Sequence, residues 1–248
     1  MSGHNKWSTI KHKKAAQDAK RSKIFSKIIK EITVAVKEGG PNEESNPRLR
    51  IAIQNAKAAN MPKDNITRAI NKADKDNTDL QEMVFEGYGP HGVPIIVECL
   101  SDNKNRTVGA IRAIFTKRGG NLGTSGSVVF MFDRKSVFEV KKDGIDLEEF
   151  ELEIIDAGAE DIVEEDDRII IYGAKEDFGN LQKKLEAMGI EIDSARLEYI
   201  PKDHKTLPVE QAKKVLQLIE DFEDNDDVQN VYHNLELTDE LQAELEKE

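Results

Sequence analysis

Residues 136–199 read SVFEVKKDGIDLEEFELEIIDAGAEDIVEEDDRIIIYGAKEDFGNLQKKLEAMGIEIDSARLEY, and this stretch decides the fold class. Short apolar or alternating segments predict strands, and two segments with apolar residues every third or fourth position predict helices. The order is β-α-β-β-α-β, with the central hairpin turning at Asp166 and Asp167. The stretch therefore predicts a ferredoxin-like (split βαβ) α+β domain over residues 134–200.

The segments on either side of this domain contain the pieces of a second one. Before it, residues 93–117 predict a strand followed by a helix, and a further strand is predicted at 128–132. After it, residues 209–235 predict a helix followed by a strand. We therefore expect a discontinuous α+β domain over 82–133 plus 201–240, into which the first domain is inserted.

The N-terminal part of the chain has the period of helices. Ile24, Ile28, Ile32 and Val36 recur at every fourth residue, and the helix is expected to end at Gly39-Gly40. Two more amphipathic helices follow, each opened by a proline, and then a linker. Residues 1–76 are thus predicted to form a basic arm and a three-helix bundle. The predicted fold class is multidomain, α and α+β: this bundle followed by two ferredoxin-like domains.

Charge is distributed unevenly along the chain. The 248 residues carry 36 Lys and Arg against 48 Asp and Glu, a formal net charge of -12. Residues 1–75 contain 17 basic and 7 acidic residues, a net of +10, which leaves a net of -22 for the remainder. An acidic protein with a strongly basic end is typical of nucleic-acid binding through that end. The alternative is that basic helices pack against an acidic body.

The basic arm is the best candidate for binding chemistry. Its cations can displace counterions from a phosphate backbone. Trp7 and His4 can stack on unpaired bases, although Trp7 can equally anchor the arm to the bundle. No spacing predicts a helix-turn-helix or a zinc finger. The predicted nucleic-acid-binding residues are His4, Lys6, Trp7, Lys11, His12, Lys13, Lys14, Lys20, Arg21, Lys23, Lys27 and Lys30.

A second polar segment lies where the strand of residues 93–100 ends and the next helix begins. Asp102, Asn103, Asn105 and Arg106 form a possible recognition loop there. Either asparagine can instead be an ordinary helix N-cap. Both interpretations are kept at this stage.

The residues predict no catalytic site. Cys99 lies in an apolar strand, where an inert core thiol is expected, and the five histidines lack metal-ligand spacing. The glycine-rich segment 119–126 follows a helix and precedes a strand, the reverse of a phosphate loop, so a helix cap and flexible loop are expected. We therefore expect no enzyme activity, no cofactor and no metal.

The same composition limits location and partners. No apolar run approaches the ~18 residues of a spanning helix, and the N-terminus has no hydrophobic leader. The single cysteine suits a reducing compartment. A cytoplasmic monomer that binds nucleic acid (DNA, ribosomal RNA or both) but no membrane is expected, with the ribosome as an alternative partner.

Several motifs run over nearly the whole chain. They are Gly3-His4-x-Lys6-Trp7, Ile10-Lys11-His12-x-Lys14, Ala15-Ala16-Gln17-Asp18-x-Lys20-Arg21, Lys23-x-Phe25, Asn60-Met61-Pro62-Lys63-Asp64-Asn65-Ile66, Glu86-Gly87-Tyr88-Gly89-Pro90, Gly119-Gly120-Asn121-Leu122-Gly123 and Asp226-Asp227-Val228-Gln229-x-Val231-Tyr232. These motifs resemble those of the YebC family. Small departures occur at Ser2, Asn5 and His91, outside the basic pattern.

The resemblance implies an N-terminal helical domain followed by two α+β domains. Members of the YebC family are usually labelled probable transcriptional regulators that bind DNA. Mitochondrial relatives are translational activators of cytochrome oxidase, and bacterial members have been linked to stalled ribosomes. The family is not known as one of enzymes. The resemblance thus implies a regulator of gene expression, acting on DNA or, alternatively, as a ribosome-associated translation factor.

Overall fold

The computed structural model describes residues 17–76, 79–165 and 167–247, with side chains from Arg21 onward. In these ranges the chain forms eight α-helices and two four-stranded antiparallel sheets. The helices are α1 (Gln17–Gly39), α2 (Pro47–Ala58), α3 (Lys63–Lys75), α4 (Lys104–Lys117), α5 (Leu147–Asp156), α6 (Phe178–Ala187), α7 (Val209–Glu223) and α8 (Asp239–Lys247). The strands are β1 (Gln81–Tyr88), β2 (Pro94–Ser101), β3 (Asn121–Leu122), β4 (Phe132–Lys141), β5 (Ala159–Glu164), β6 (Arg168–Ala174), β7 (Ile192–Pro201) and β8 (Val228–His233).

The described residues divide into two compact units. The first contains 17–27, 79–133 and 199–247, and the second contains 28–76, 134–165 and 167–198. Each unit contains most of one sheet and its helices. The predicted domain boundaries, which assign all N-terminal helices to one bundle, stay a prediction.

The three N-terminal helices form where their periodicity predicts them. Helix α1 ends at Gly39, and Gly40 takes a positive φ of 82°, which glycine adopts without strain. Asn46 is the N-cap of α2, and its side-chain oxygen accepts a hydrogen bond from the Leu49 N–H at 3.0 Å. Its amide also donates to the carbonyl of Ala35 at 2.7 Å. This buried asparagine therefore joins the end of α1 to the start of α2.

The sheet of the first unit has the strand order β3-β1-β2-β8. Helices α4 and α7 cover one of its faces, where the Phe115 and Phe222 rings meet edge to face with centroids 4.7 Å apart. Ile95, Val97 and Val231 extend this core from the strands, because alternate residues of a strand point to the same face.

One element of this unit was missed by the sequence analysis, and one was predicted wrongly. Strand β1 was not predicted, because Glu86 and Gly87 at its end disguise the alternation of Met83 and Phe85. The strand predicted at residues 128–132 is instead a 3-10 turn over Val129–Met131 that leads into β4. The backbone N–H groups of this turn bind the Glu86 side chain rather than a neighbouring strand.

The sheet of the second unit has the order β5-β6-β4-β7, with helices α5 and α6 on one face. The chain order β4-α5-β5-β6-α6-β7 is the predicted β-α-β-β-α-β. In the edge strand β7, the backbone N–H and carbonyl of Ala195 both hydrogen-bond to the Asn55 side chain of α2, each at 3.2 Å. The predicted fold class, N-terminal helices followed by two α+β domains, is confirmed.

Candidate nucleic-acid interface

Much of the predicted nucleic-acid interface lies outside the part of the chain that the structure describes. His4, Lys6, Trp7, Lys11, His12, Lys13 and Lys14 precede Gln17, where the described residues begin. Lys20 lies on α1, but its side chain is not among those described. Their role in binding stays a prediction.

The four described cations of this set, Arg21, Lys23, Lys27 and Lys30, lie on α1. The Arg21 guanidinium lies 5.4 Å from the centroid of the Phe25 ring, one turn along the helix, a cation–π distance. Lys27 donates to the carbonyl of Gln229 in β8 at 3.3 Å. Lys30 is half-buried.

Lys23 has a carboxylate partner. Its ammonium donates to Asp224 Oδ1 at 2.7 Å and to the backbone carbonyl of Asp224 at 3.3 Å, just after the end of α7. Both side chains are solvent-exposed, so this ion pair is weak. A phosphate could replace the carboxylate at little cost. Lys23 is therefore placed to bind an oxyanion and already does so within the first unit.

The possible recognition loop is organised as a helix cap. The Asn103 side chain accepts a hydrogen bond from the Arg106 N–H at 3.0 Å, which makes Asn103 the N-cap of α4. The capping interpretation of Asn103 is confirmed, whereas Asn105 is an exposed residue of the first turn.

Arg106 joins this cap to the start of β8. Its guanidinium donates to Asp102 Oδ1 at 2.9 Å and to Asp227 Oδ2 at 3.2 Å. The hydrogen bonds that Arg106 donates to Asp102 and then to Asp227 raise the pKa of Arg106 above its usual value. Thr107 also donates to Asp227, at 3.0 Å. The loop is thus held by internal contacts, and nucleic-acid recognition by it stays a prediction.

Sequence reasoning missed Glu86, the residue that organises the glycine-rich segment. Its side chain is only 5% exposed, at an internal position of β1. The carboxylate accepts hydrogen bonds from the N–H groups of Gly126 at 2.7 Å and of Val128 and Val129 at 2.9 Å each. Burial raises the pKa of Glu86, but these three backbone donors outweigh burial and lower the pKa overall. An acid that follows the apolar residues 83–85 and precedes a Gly-Tyr-Gly sequence, in a chain with a glycine-rich segment further on, is the signal that could have revealed it.

The glycines of this region allow the backbone to pack closely. A Cβ at Gly120 would lie 2.5 Å from the Tyr88 carbonyl oxygen, so only glycine fits beside the end of β1. Gly119 ends α4 with φ at 76°, and Gly126 has φ at 86°. The helix cap expected in this segment is present. The expected flexible loop instead has its backbone bonded to one buried carboxylate.

Two further kinds of feature are absent from the described residues. In residues 17–76, 79–165 and 167–247, no three side chains among His, Cys, Asp and Glu come together in a group that could hold a metal ion. Over the same ranges, no helix combines the length and the apolar character that crossing a bilayer requires.

N-terminal helices, the first of them charged, precede two α+β domains, and this architecture defines a class of multidomain proteins. Separate family models match the helical part and the α+β part of this chain. Residues 5–76 match the TACO1/YebC protein N-terminal domain, and residues 80–235 match the TACO1/YebC second and third domain. The chain belongs to the TACO1/YebC family.

Individual relatives are similar in sequence to this chain over nearly its full length. A probable transcriptional regulatory protein of Amoebophilus asiaticus is 53% identical over 95% of this chain and 98% of the relative. One from Thermotoga maritima is 49% identical over 99% of this chain and 98% of its own. The crystal structure of a conserved hypothetical protein from Aquifex aeolicus matches with a TM-score of 0.78 and 43% identity, covering 90% of this chain and 93% of that one. The names of these homologues support a regulatory role.

Proposed function

We propose that this protein is a non-enzymatic regulator of gene expression that binds nucleic acid, with DNA as the target and transcription as the regulated process. The observation that carries the proposal is the division of charge between +10 in residues 1–75 and -22 in the remainder. Such a division gives the protein one end that attracts a polyanion and one end that repels it, and so it orients the protein as the two meet. The relatives' names as transcriptional regulators agree with this role.

The binding surface in this proposal is the basic arm continued by the cations of α1. The Lys23–Asp224 pair supports it, because an oxyanion already occupies one of these positions. On this proposal nucleic acid competes with Asp224 for Lys23. The acidic residues that follow the bundle favour binding through one end only.

The salt dependence of binding tests the proposal. The affinity for a duplex DNA should fall steeply with salt, and Lys23→Gln should flatten the slope of log K against log salt by ~0.7–0.9. Lys183→Gln, which removes an exposed lysine of the acidic half on α6, is the matched control and should leave the slope unchanged. A salt-independent affinity, or full affinity after deletion of residues 2–22, would contradict the proposal.

The competition at Lys23 has its own test. Asp224→Asn removes the carboxylate that holds Lys23 and should raise the affinity for DNA by up to about fivefold, since an exposed ion pair is worth ~0.2–1 kcal/mol. Electrophoretic mobility shifts at low salt would measure it. An affinity lowered by this change would show that Asp224 supports the binding surface rather than competes with it.

A second candidate is a ribosome-associated translation factor that grips ribosomal RNA with the same arm. Its support is the lack of any duplex-reading pattern in the sequence, together with the two-signed charge, which suits a particle made of RNA and basic proteins. Binding to promoter duplex and to ribosomes at ~150 mM salt, where non-specific binding is weakened, separates the two.

A further inference from the structure

The segment from Gly123 to Met131 is held rigidly against the sheet of the first unit. Glu86 binds it at four points: its carbonyl accepts from the Gly123 N–H at 2.8 Å, and its carboxylate accepts from three N–H groups further along. Val128 is fully buried against Ile96 and Tyr232. We call residues 123–131 the Glu86-bound loop.

This rigid loop exposes a large aromatic side chain. Phe130 is 64% exposed, although phenylalanine is among the residues most often buried. A second ring lies at the border of the loop: Tyr88, 37% exposed, donates from its hydroxyl to the Ser127 carbonyl at 3.5 Å and approaches the Met131 sulfur at 4.0 Å. Phe130 is thus displayed on a loop that a second aromatic residue, Tyr88, contacts at Ser127 and Met131.

The loop itself carries no charge. Residues 119–132 contain no charged residue, and the two bases that precede them, Lys117 and Arg118, are paired with Asp221. Lys202 adjoins the loop, because its backbone N–H donates to the Met131 carbonyl at 3.0 Å. Its exposed ammonium lies 3.5 Å from Asp133. A polyanion therefore meets a neutral loop with a lysine beside it.

We propose that Phe130 is a stacking platform for an unpaired base of single-stranded nucleic acid, with Tyr88 beside it and Lys202 facing the adjoining phosphate. This inference rests on the proposed nucleic-acid binding and adds a second contact surface, away from the arm. Every base has a π-face, so an exposed ring beside a cation binds single strands with little sequence preference. Duplex bases are already stacked and offer the ring nothing equivalent.

The surroundings of Phe130 favour a nucleic acid over an apolar pocket on a protein. A docking surface of the second kind has a core of several apolar residues around its anchor. The apolar residues on either side of Phe130, Val129 and Met131, are instead half-buried against the cluster beneath the loop. The other exposed residues of the loop lie at 123–126 and are small, so that a sugar-phosphate backbone can come close. The binding of the loop to Glu86 fixes the backbone that carries the ring before the ligand arrives, so less entropy is lost on stacking.

Fluorescence anisotropy with labelled oligouridine RNA, oligothymidine DNA and a duplex of similar length tests the inference on the full-length protein. Phe130→Ala should weaken binding to the single strands by about 5- to 150-fold, which corresponds to ~1–3 kcal/mol per stacked base. Duplex binding should change less than about threefold. The salt slope should be unchanged, because no charge is removed.

Three variants distinguish stacking from other effects. Phe130→Trp should retain single-strand affinity, whereas Phe130→Leu, which keeps apolar area but no ring, should lose it. Leu152→Ala, which removes a 71% exposed apolar side chain from α5, is the matched control and should bind as the unaltered protein does. A difference between the losses for RNA and DNA shows which single strand is preferred.

Two results would overturn the inference. One is Phe130→Ala binding single strands as tightly as the unaltered protein; a steep salt slope in that experiment would leave the proposed function intact. The other is photocrosslinking to 5-iodouracil RNA that labels the arm but no peptide containing Phe130. If the unaltered protein binds neither single strands nor duplex, the proposed function fails as well.

Discussion

Glu86→Gln should destabilise the first unit and loosen the Glu86-bound loop. The substitution keeps the size of the side chain but replaces one of two acceptor oxygens with an NH2 group. Oε1 accepts from Gly126, and Oε2 accepts from both Val128 and Val129. A glutamine can therefore keep the pair of bonds at one oxygen, but it then directs a donor at the N–H of Gly126.

The magnitude follows from the bonds that change. A hydrogen bond to a charged group contributes ~1.5–3 kcal/mol and one between neutral groups ~0.5–1.5 kcal/mol. The hydrogen bond from Gly126 to the charged carboxylate is lost, and the two from Val128 and Val129 become bonds between neutral groups. Part of this loss is offset because a buried charge, which is costly to desolvate, is removed. We expect a decrease in the free energy of unfolding of about 2–4 kcal/mol. At ~2–4 °C per kcal/mol, the Tm should fall by roughly 5–15 °C.

Thermal unfolding, followed by circular dichroism, measures the loss of stability. Amide hydrogen exchange measures the loosening of the loop. Exchange at Gly126, Val128 and Val129 should accelerate well beyond that of the core amides in β2. Glu82→Gln is the matched control, since it makes the same chemical change at an exposed position of the same strand. An unchanged Tm with unchanged exchange at these three amides would refute the reasoning.

The pH dependence of the Tm tests independently whether the charged form of Glu86 stabilises the folded protein. The pKa of Glu86 is lowered in the folded protein, so its contribution to stability is full above the ordinary value of 4.5 and is lost as pH falls through the lower folded value. The Tm difference between the unaltered protein and Glu86→Gln should therefore be largest near neutral pH and shrink in acid. A difference that grows with acid would contradict the assignment.

Two further substitutions test the contacts around α4. Asn103→Ala should lower the free energy of unfolding by ~1 kcal/mol through loss of the N-cap, whereas Asn105→Ala should change it by less than ~0.5 kcal/mol; urea unfolding measures both. Arg118 lowers the pKa of Asp221 to about 2 from its usual 3.8, so Asp221→Asn should cost about 1 kcal/mol at neutral pH after solvent screening. That cost should vanish as pH falls through 2, and a cost that persists there would contradict the ion-pair explanation.

Local pattern predicted most of the elements because it acts over a few residues. The four-residue recurrence from Ile24 to Val36 and the capping glycines predict α1 and its end without any knowledge of the fold. The same holds for the β-α-β-β-α-β order of the second sheet, where short apolar strands alternate with helices. The division of charge also needs only the sequence.

The failures occurred where a distant residue decides the local structure. Residues 128–132 have the apolar content of a strand, but Glu86, some forty positions earlier, binds the N–H groups that a strand would use. In the candidate site, the capping role of Asn103 was foreseen as an alternative, whereas the partner of Lys23 was not. Asp224 lies beside Lys23 only because the fold brings together two residues that are 201 positions apart in the sequence.

The family, the three amphipathic helices, the order of strands and helices in the second sheet, and the basic end of an acidic chain can all be read from the residues. These features depend on periodicity, caps and composition, which are local or additive properties. The buried glutamate that holds the glycine-rich loop, and the display of Phe130 on that loop, emerge only when the chain is folded. Both depend on backbone donors and a carboxylate meeting across the sheet, and no local pattern records which distant residues will meet.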